Sequence, residues 1–508
     1  MALLIPALLT AFHVAAQGPV EIGSRRELFV DRHLIGELTN AELRLEKPLD
    51  RGVVLRLDQP WEGAFSGYFT VIHDGPRYRM YYRCLPRAGS DGAAPESTCY
   101  AESADGIRWT KPELNLYDVH GTRRNNAILA ANPPFSHNFA PFLDTRPGVP
   151  AGERYKALGG TVRSGLVAFV SADGIRWRKL REEPVLPAAD RTRYDSQNVA
   201  FWSQSEQRYV CYFRVFKQHA DGKRYRWVAR TTSRDFLSWE PETAMEFPGA
   251  PPEHLYTNQT SPYFRAPHLY VSIAARFLPG RQVLSEEEAR AIHVDPGYFK
   301  DCSDAVLFTT RGGNVYDRTF LESYLRPGLG INNWVSRTNY PAWNVVQTGP
   351  EEMSFYVNRD YGQPTAHVAR YSMRLDGFAS LHAGYAGGAM TTKPLVFRGG
   401  EMAINFSTSA AGSIVVRILE PGGALLAESA ETIGDAISRV VRWKDGAAVA
   451  KLAGRPVRLH FVLKDADLYS FRFAEPGAAA MVSLPGTGPV RAGAELREPG
   501  PKQLYPIQ

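Results

Sequence analysis

From residue 64 the chain alternates short runs of apolar and polar residues with turn residues, the period-two pattern of half-buried strands. FSGYFTVIHDGPRYRMYYRC (65–84) reads as a strand, an Asp-Gly-Pro turn and a second strand rich in aromatics. STCYAESADGIRWTKPEL (97–114) supplies a third strand that runs into a compact polar phrase. The same order recurs. HNFAPFLDTRPG (137–148), ERYKALGG (153–160) and GLVAFVSADGIRWRKL (165–180) make a second set. SQNVAFWSQSEQRYVCYFRVF (196–216) and RYRWVARTTSRDFLSWEP (224–241) make a third. LYTNQTSPYFRAPHLYVSIAARF (255–277) with SDAVLFTTRGGNVYDR (303–318) is the fourth, and WNVVQTGPEEMSFYVNRDY (343–361) with HVARYSMRLDGFASL (367–381) the fifth. One short helical segment, SEEEARAI (285–292), falls in an insertion of the fourth set.

SADGIRW occurs twice, at 103–109 and 171–177. A degenerate copy carries Ser233, Asp235 and Trp239, and LDGF around Asp376 echoes it again. The serine caps a turn, Asp and Gly make a tight bend, and the tryptophan packs the outgoing edge strand. Asp105 and Asp173 are therefore turn residues. A hairpin unit of this size cannot bury its own face, so five copies of about 60–75 residues must pack around one another. They predict an all-β chain built on a five-bladed β-propeller. The ring needs closure, and ELFVDRHLIGELTNAEL (27–43) is the strand expected to complete blade five. After about residue 385 the tryptophan phrase disappears and cleanly alternating segments with Gly-rich turns follow, from GGAMTTKPLVF to VRLHFVLKDADLYSFRF. This region predicts a C-terminal β-sandwich. The expected organisation is a signal peptide over 1–16, the propeller over 17–385 and the sandwich over 386–508.

The signal peptide rests on the short apolar run of MALLIPALLTAFHVAAQ, ending in small residues before Gln17. It implies a secreted or periplasmic protein. No later segment is long and apolar enough to span a membrane. The 44 glycines, 36 prolines and many aromatic residues suit short strands and turns. A formal charge of +6 over 508 residues, without a basic tail or basic helix, argues against a nucleic-acid partner. Cys84, Cys99, Cys211 and Cys302 show no CxxC spacing, so neither a zinc site nor any other metal site is expected. Cys84 and Cys99 could lie on neighbouring strands of one sheet and pair, or be free buried thiols. HExxH, EF-hand, P-loop and GxSxG contexts are absent, and no cofactor is expected.

Five antiparallel blades with recurrent SxDGxxW turns, followed by a second β-domain, resemble the five-bladed glycosidase superfamily of invertases, fructanases and arabinanases. The resemblance implies a glycoside hydrolase acting on an oligo- or polysaccharide. It covers the architecture of nearly the whole mature chain. The fructanase Trp-Met-Asn-Asp-Pro-Asn, Arg-Asp-Pro and Glu-Cys motifs are absent; WEGAFSG (61–67), YDSQN (194–198) and PEHLYTNQ (252–259) occupy the nearest positions.

Propeller sites lie where the first strands of the blades line the central funnel. The candidates at those strand starts are Trp61 and Glu62 (blade one), His137 and Asn138 (two), and Tyr194, Asp195, Gln197 and Asn198 (three). In blade four they are Glu253, His254, Tyr256, Asn258 and Gln259, and before blade five Arg337, Asn339 and Tyr340. Glycoside hydrolysis uses two carboxyl groups, one donating a proton to the leaving oxygen and one attacking or activating water. Asp195 is the expected base or nucleophile and Glu253 the acid, with Glu62 and Asp304 as further catalytic candidates; Asp304, within a strand, needs a partner such as Arg337. Asp31 and Glu322 are reserves. Trp61, His137, Asn138, Gln197, Asn198, His254, Tyr256, Asn258 and Arg337 are the expected sugar-binding set. A non-catalytic carbohydrate-binding propeller would keep these groups but lack a facing carboxylate pair. An interaction propeller would have a funnel poor in acids. A sialidase-like reading needs three converging arginines.

Overall fold

The computed structural model describes residues 18–188, 193–446, 449–478, 481–483 and 489–491. The segment expected as a signal peptide lies outside them. Five antiparallel sheets follow the five repeated sets. Blade one is Gly67–His73, Tyr78–Cys84, Ser97–Ser103 and Ala127–Leu129. Blade two is Ala140–Leu143, Tyr155–Thr161, Gly165–Ser171 and Arg178–Lys179, and blade three Val199–Ser203, Arg208–Gln218, Arg224–Ser233 and Thr243–Ala244. Blade four combines a split inner strand, His254–Thr257 and Ser261–Tyr263, with Ala266–Leu278 and Cys302–Thr310. Between its last two strands lies the expected helix, Glu286–Ala291. It starts on a capping box in which the Ser285 side chain accepts from the Glu288 N–H and the Glu288 carboxylate accepts from the Ser285 N–H.

Blade five comprises Tyr340–Pro341, Val346–Gln347, Glu352–Arg359 and His367–Arg374, and its outer strand is Leu49–Arg56. The ring is thus closed by an N-terminal strand, as expected, but not by 27–43. Those residues hold the strands Arg26–Leu28, Ile35–Thr39 and Glu42–Leu45, which join the C-terminal sheet. Their apolar side chains decide this: Phe29, Leu34 and Ile35 enter the same core as Phe461, Phe471 and Phe473.

That second module is built on one curled sheet of nine described strands, with the parallel pair Val20–Gly23 and Leu395–Phe397 contributing to the same core. Glu401–Leu419 and Arg458–Ala474 run side by side through its centre. Irregular pairing at Asn405/Phe406 and at Thr408/Ser413 bends the pair. Ala379–Ala383 also belongs to it, directly after the last propeller strand.

The repeated phrase is a turn that stitches one blade to the one before. Ser103 Oγ accepts from the Gly106 N–H, Asp105 Oδ1 accepts from the N–H groups of Ile107 and Arg108, and the Trp109 indole donates to Gly106 O. The Ser171–Trp177 copy repeats every one of these bonds. So does Ser233–Trp239, where Phe236 adopts φ 69° at the glycine position. Tyr356 of blade five donates to Gly106 O, and Arg79 of blade one donates to Asp173 O. Cys84 and Cys99 are disulfide-bonded, while Cys211 and Cys302 are free and buried.

Candidate active site in the propeller funnel

At or just before the start of four inner strands lies a residue held in the left-handed region, Tyr68 (φ 56°), Asn138 (35°), Ser196 (107°) and Asn339 (64°), and Gln259 (53°) lies between the two halves of the split strand of blade four. Non-glycine residues rarely adopt such angles, which cost roughly 1–2 kcal/mol apiece. Here they turn the strand starts so that neighbouring side chains face the axis. Two amides cross that axis. Gln197 Nε2 donates to Thr70 Oγ1 (2.7 Å) and Phe69 O (3.2 Å) of blade one. Gln259 Nε2 donates to Gln197 Oε1 (2.8 Å) and to Pro341 O of blade five (2.8 Å). This amide crossing ties four blades together and forms the floor of a cleft at the funnel mouth.

The walls are aromatic and cationic. Tyr68, Tyr256, Tyr340 and Tyr361 line them together with Arg83, Arg337 and Asn358. Tyr298, brought in by the blade-four insertion, packs on Tyr361 and Phe65. Arg83 lies 4.7 Å above the Tyr68 ring and donates to Phe65 O and the Tyr361 hydroxyl. Arg214, Arg226 and Arg337 surround the Tyr256 ring at 5.1, 5.6 and 5.4 Å. Burial pushes the Tyr68 phenol well above its ordinary value, with Tyr256 adding to the effect, and burial does the same for Tyr340. Both are neutral hydroxyls at neutral pH. Burial opposes the charge on Arg214, but Asp195 and Tyr256 outweigh it and raise its pKa.

Several buried polar atoms here have no partner among the described residues. They include Nε and Nη1 of Arg214, Nε of Arg226 and of Arg337, Gln259 Oε1, Thr257 Oγ1 and Asn358 Oδ1. Unsatisfied donors and acceptors at this density are costly unless water or a ligand completes them.

Of the expected carboxylates, only Asp195 belongs to the funnel. It is ion-paired to Arg214 and near enough to Tyr68 to act on its phenol. Glu62 is fully buried inside blade one, where it accepts from the Tyr82 hydroxyl (2.6 Å) and pairs with Lys111 (2.6 Å). Trp61 lies beside it and donates to Asn126 Oδ1. Neither residue lines the funnel, because both are held by partners within blade one and its loops. Glu253 and Asp304 share Arg276 at 2.7 and 2.6 Å, and Glu253 also pairs with Arg318 at 2.5 Å. The partner of Asp304 is thus Arg276, not Arg337. Glu253, His254 and Arg276 line a second surface cleft beside blade four instead of the cleft over the amide crossing. Asp31 pairs with Arg311, and Glu322 is exposed.

Among the expected sugar-binding residues, Tyr256, Gln197 and Arg337 line the cavity. Asn138 and Asn198 instead donate to backbone carbonyls of the 194–196 turn, and Asn258 accepts from the Thr260 N–H. These amides hold the strand starts in place. His254 accepts from the Arg226 N–H at the rim.

His137 stands edge-on to Tyr68 at 5.7 Å. Its Nδ1 bonds to Glu96 at 2.9 Å, and its Nε2 lies 3.8 Å from Asp91. Glu96 is itself fixed by the Gly92 N–H. Among the described residues Asp91, Glu96 and His137 are the one group spaced to hold a metal ion, where none was expected. Asp91 and Glu96 sit in the loop between Cys84 and Ser97, whose base the Cys84–Cys99 disulfide clamps. No spacing marks them in the sequence; only the packing of that loop on blade two brings them to His137. Tyr68, Arg83, Arg214 and Arg226 were likewise invisible as site residues, since they look like ordinary strand positions.

Fold and site together define an all-β protein with a five-bladed propeller whose funnel is lined by tyrosine, arginine and amide groups. No family model and no curated protein matches the chain. Solved structures of similar fold include a "Glycoside hydrolase" (TM-score 0.44, 12% identity, 65% of this chain and 92% of that one). They include an N-acetylgalactosamine deacetylase from F. plautii, solved with blood group B trisaccharide (0.43, 12%, 66% and 96%). A fructofuranosidase from Schwanniomyces occidentalis, solved with fructosylnystose, is another (0.41, 10%, 82% and 96%). These are likenesses of fold alone.

Proposed function

We propose that the protein is a glycoside hydrolase acting on an oligo- or polysaccharide outside the cytoplasm, with the funnel as its sugar site. One observation carries the reading: aromatic faces and unsatisfied amide and guanidinium groups gather in the funnel, with Asp195 paired to Arg214 on one side and Asp91 beside His137, which stands edge-on to Tyr68, on the other. A sugar ring offers apolar faces to stack and hydroxyls that both donate and accept, and this wall complements both. Asp195 comes from blade three and Asp91 from the blade-one loop. They replace the expected Asp195–Glu253 pair. In this reading Asp195 serves as base or nucleophile. Asp91, with His137 behind it, passes a proton to the leaving oxygen. Glu96 is a positioning residue that fixes the His137 ring. The Cys84–Cys99 disulfide supports an oxidising location, secreted or periplasmic.

The test is a panel of furanoside and pyranoside glycans assayed with wild type, Asp195→Asn, Asp91→Asn and Glu62→Gln. On the substrate that is turned over, the first two lose activity by roughly 10²-fold or more, and Glu62→Gln retains it per folded molecule. Unchanged turnover in Asp195→Asn defeats the mechanism. Sugar binding without turnover of any substrate makes the protein a carbohydrate-binding propeller.

A further inference from the structure

The blade-three strands Arg208–Gln218 and Arg224–Ser233 continue past the body of their sheet as a long hairpin, with Phe216 opposite Arg226 and Gln218 opposite Arg224. Directly opposed residues share a face, as do residues two apart along a strand. Arg214, Phe216, Arg224 and Arg226 therefore form one surface. The three guanidinium carbons lie 5.4, 5.2 and 5.5 Å from the Phe216 ring. Arg226 also covers Phe277 of blade four at 4.8 Å, so this wall leans across the funnel rim. Arg337 completes the arrangement from the blade-five side, between Tyr256 and Tyr298.

The charges on this wall do not balance. Among the described residues Asp195 is the one carboxylate paired with it, through Arg214. Arg226 and Arg337 have no carboxylate within ion-pair distance among those residues, while the nearby Glu253 is taken by Arg276 and Arg318. Arg214, whose side chain is 3% exposed, keeps two guanidinium nitrogens without a partner, and Arg226 and Arg337 each keep Nε. Like charges crowded beside buried rings oppose one another: burial and then Arg214 depress the Arg226 guanidinium. Such a cluster is stabilised by an anion that accepts from several of its N–H groups at once.

We infer that the funnel takes an anionic sugar, whose carboxylate or sulfate group sits against Arg214, Arg226 and Arg337 while its ring faces the aromatic wall of the funnel. The inference rests on the glycan reading above and names its substrate class. The three arginines that a sialidase-like reading would need do converge, though on blades three and five of a five-bladed ring.

Isothermal titration of the full-length protein at fixed ionic strength tests it, with D-glucuronate, D-galacturonate, D-glucose 6-sulfate, D-glucose and inorganic sulfate as probes. At least one charged sugar is expected to bind tenfold or more tighter than glucose and than inorganic sulfate, and to weaken as salt rises. Preference for the uronates assigns a carboxylate, and preference for the sulfated sugar assigns a sulfate. Arg226→Gln and Arg337→Gln should each weaken that binding by about tenfold or more. Arg226→Lys, which keeps the charge but loses the planar fork, should fall between wild type and Arg226→Gln and guards against misfolding of the latter. If glucose binds as tightly as every charged sugar, the anionic inference is overturned while the glycan reading stands. Inorganic sulfate binding as tightly as the sugars would also overturn it, leaving a simple anion site. If no sugar binds and no glycan is turned over, both readings fall.

Discussion

Replacing Asp376 by asparagine should loosen the junction between the propeller and the C-terminal sheet. Asp376 is buried, and Arg26 and Arg265 reach its Oδ2 at 3.3 and 2.9 Å. The Tyr263 hydroxyl donates to Oδ1 at 2.7 Å, and Ser470 and Asn405 donate to Oδ2 at 2.6 and 3.0 Å. Tyr263 and Arg265 belong to blade four, while Arg26, Asn405 and Ser470 belong to the other module. Burial opposes ionisation of Asp376, but Arg265 and Arg26 outweigh it and bring its pKa from 3.8 down to about 2. At 1.36 kcal/mol per pKa unit the ionised form contributes about 2 kcal/mol. Asparagine is nearly isosteric and tolerates the native φ of 64°, so the substitution removes charge without backbone strain. It also leaves two arginines buried without a counter-charge, which brings the expected loss at pH 7 to about 3 kcal/mol. The native pKa is depressed, so the contribution is complete above pH 3.8 and disappears as pH falls through about 2. Urea unfolding of wild type and Asp376→Asn, followed by circular dichroism, measures both parts. The difference in stability should shrink by about 1 kcal/mol between pH 5 and pH 3. A difference below about 1 kcal/mol at pH 7, or one that is equal at pH 5 and pH 3, refutes the reasoning.

Glu62→Gln breaks the buried pair with Lys111 and should cost about 3 kcal/mol in urea unfolding while leaving turnover per folded molecule intact; a selective loss of turnover would return Glu62 to the active site. The double replacement Cys84→Ala/Cys99→Ala opens a link across a sequence separation of 15 residues. Loop closure predicts a loss of about 3 kcal/mol, with greater proteolysis of the 85–96 loop that carries Asp91 and Glu96; an unchanged cleavage pattern there would show that the loop is held by its other contacts. Gly174→Ala places a Cβ 2.6 Å from the Tyr81 hydroxyl at φ 73° and should lower stability by about 1–3 kcal/mol, whereas Gly222→Ala, which has open space at φ 78°, should cost only about 1 kcal/mol. Equal losses for the two glycines would mean that backbone angle and not inter-blade packing dominates.

The legible part of this protein was what repeats. Period-two alternation marked the strands, and the Ser-Asp-Gly-Trp turn marked the blades, because each copy must satisfy the same local hydrogen bonds whatever surrounds it. Asp376 shows where that reasoning stops. It keeps the turn position of its relatives, yet tertiary packing gives it two arginines from different modules. The closing strand shows the same limit: 27–43 was expected to close the ring, but Phe29, Leu34 and Ile35 match the second core, and Leu49–Arg56 takes the closing place.

The site was legible in outline only. Tyr256, Gln197, Arg337 and Asp195 were found because strand starts in a propeller point to one axis. Glu253 and Asp304 were drawn away by Arg276, which nothing in their local sequence announces. Asp91, Glu96, Arg214 and Arg226 lie on a loop and on second and third strands, far along the chain from the strand starts they face. Local pattern follows from the backbone's own hydrogen-bonding and burial requirements, so the chain alone determined strands, turns and blade number. Which charges meet depends on how separate blades pack, so only the tertiary structure decided the chemistry of the funnel.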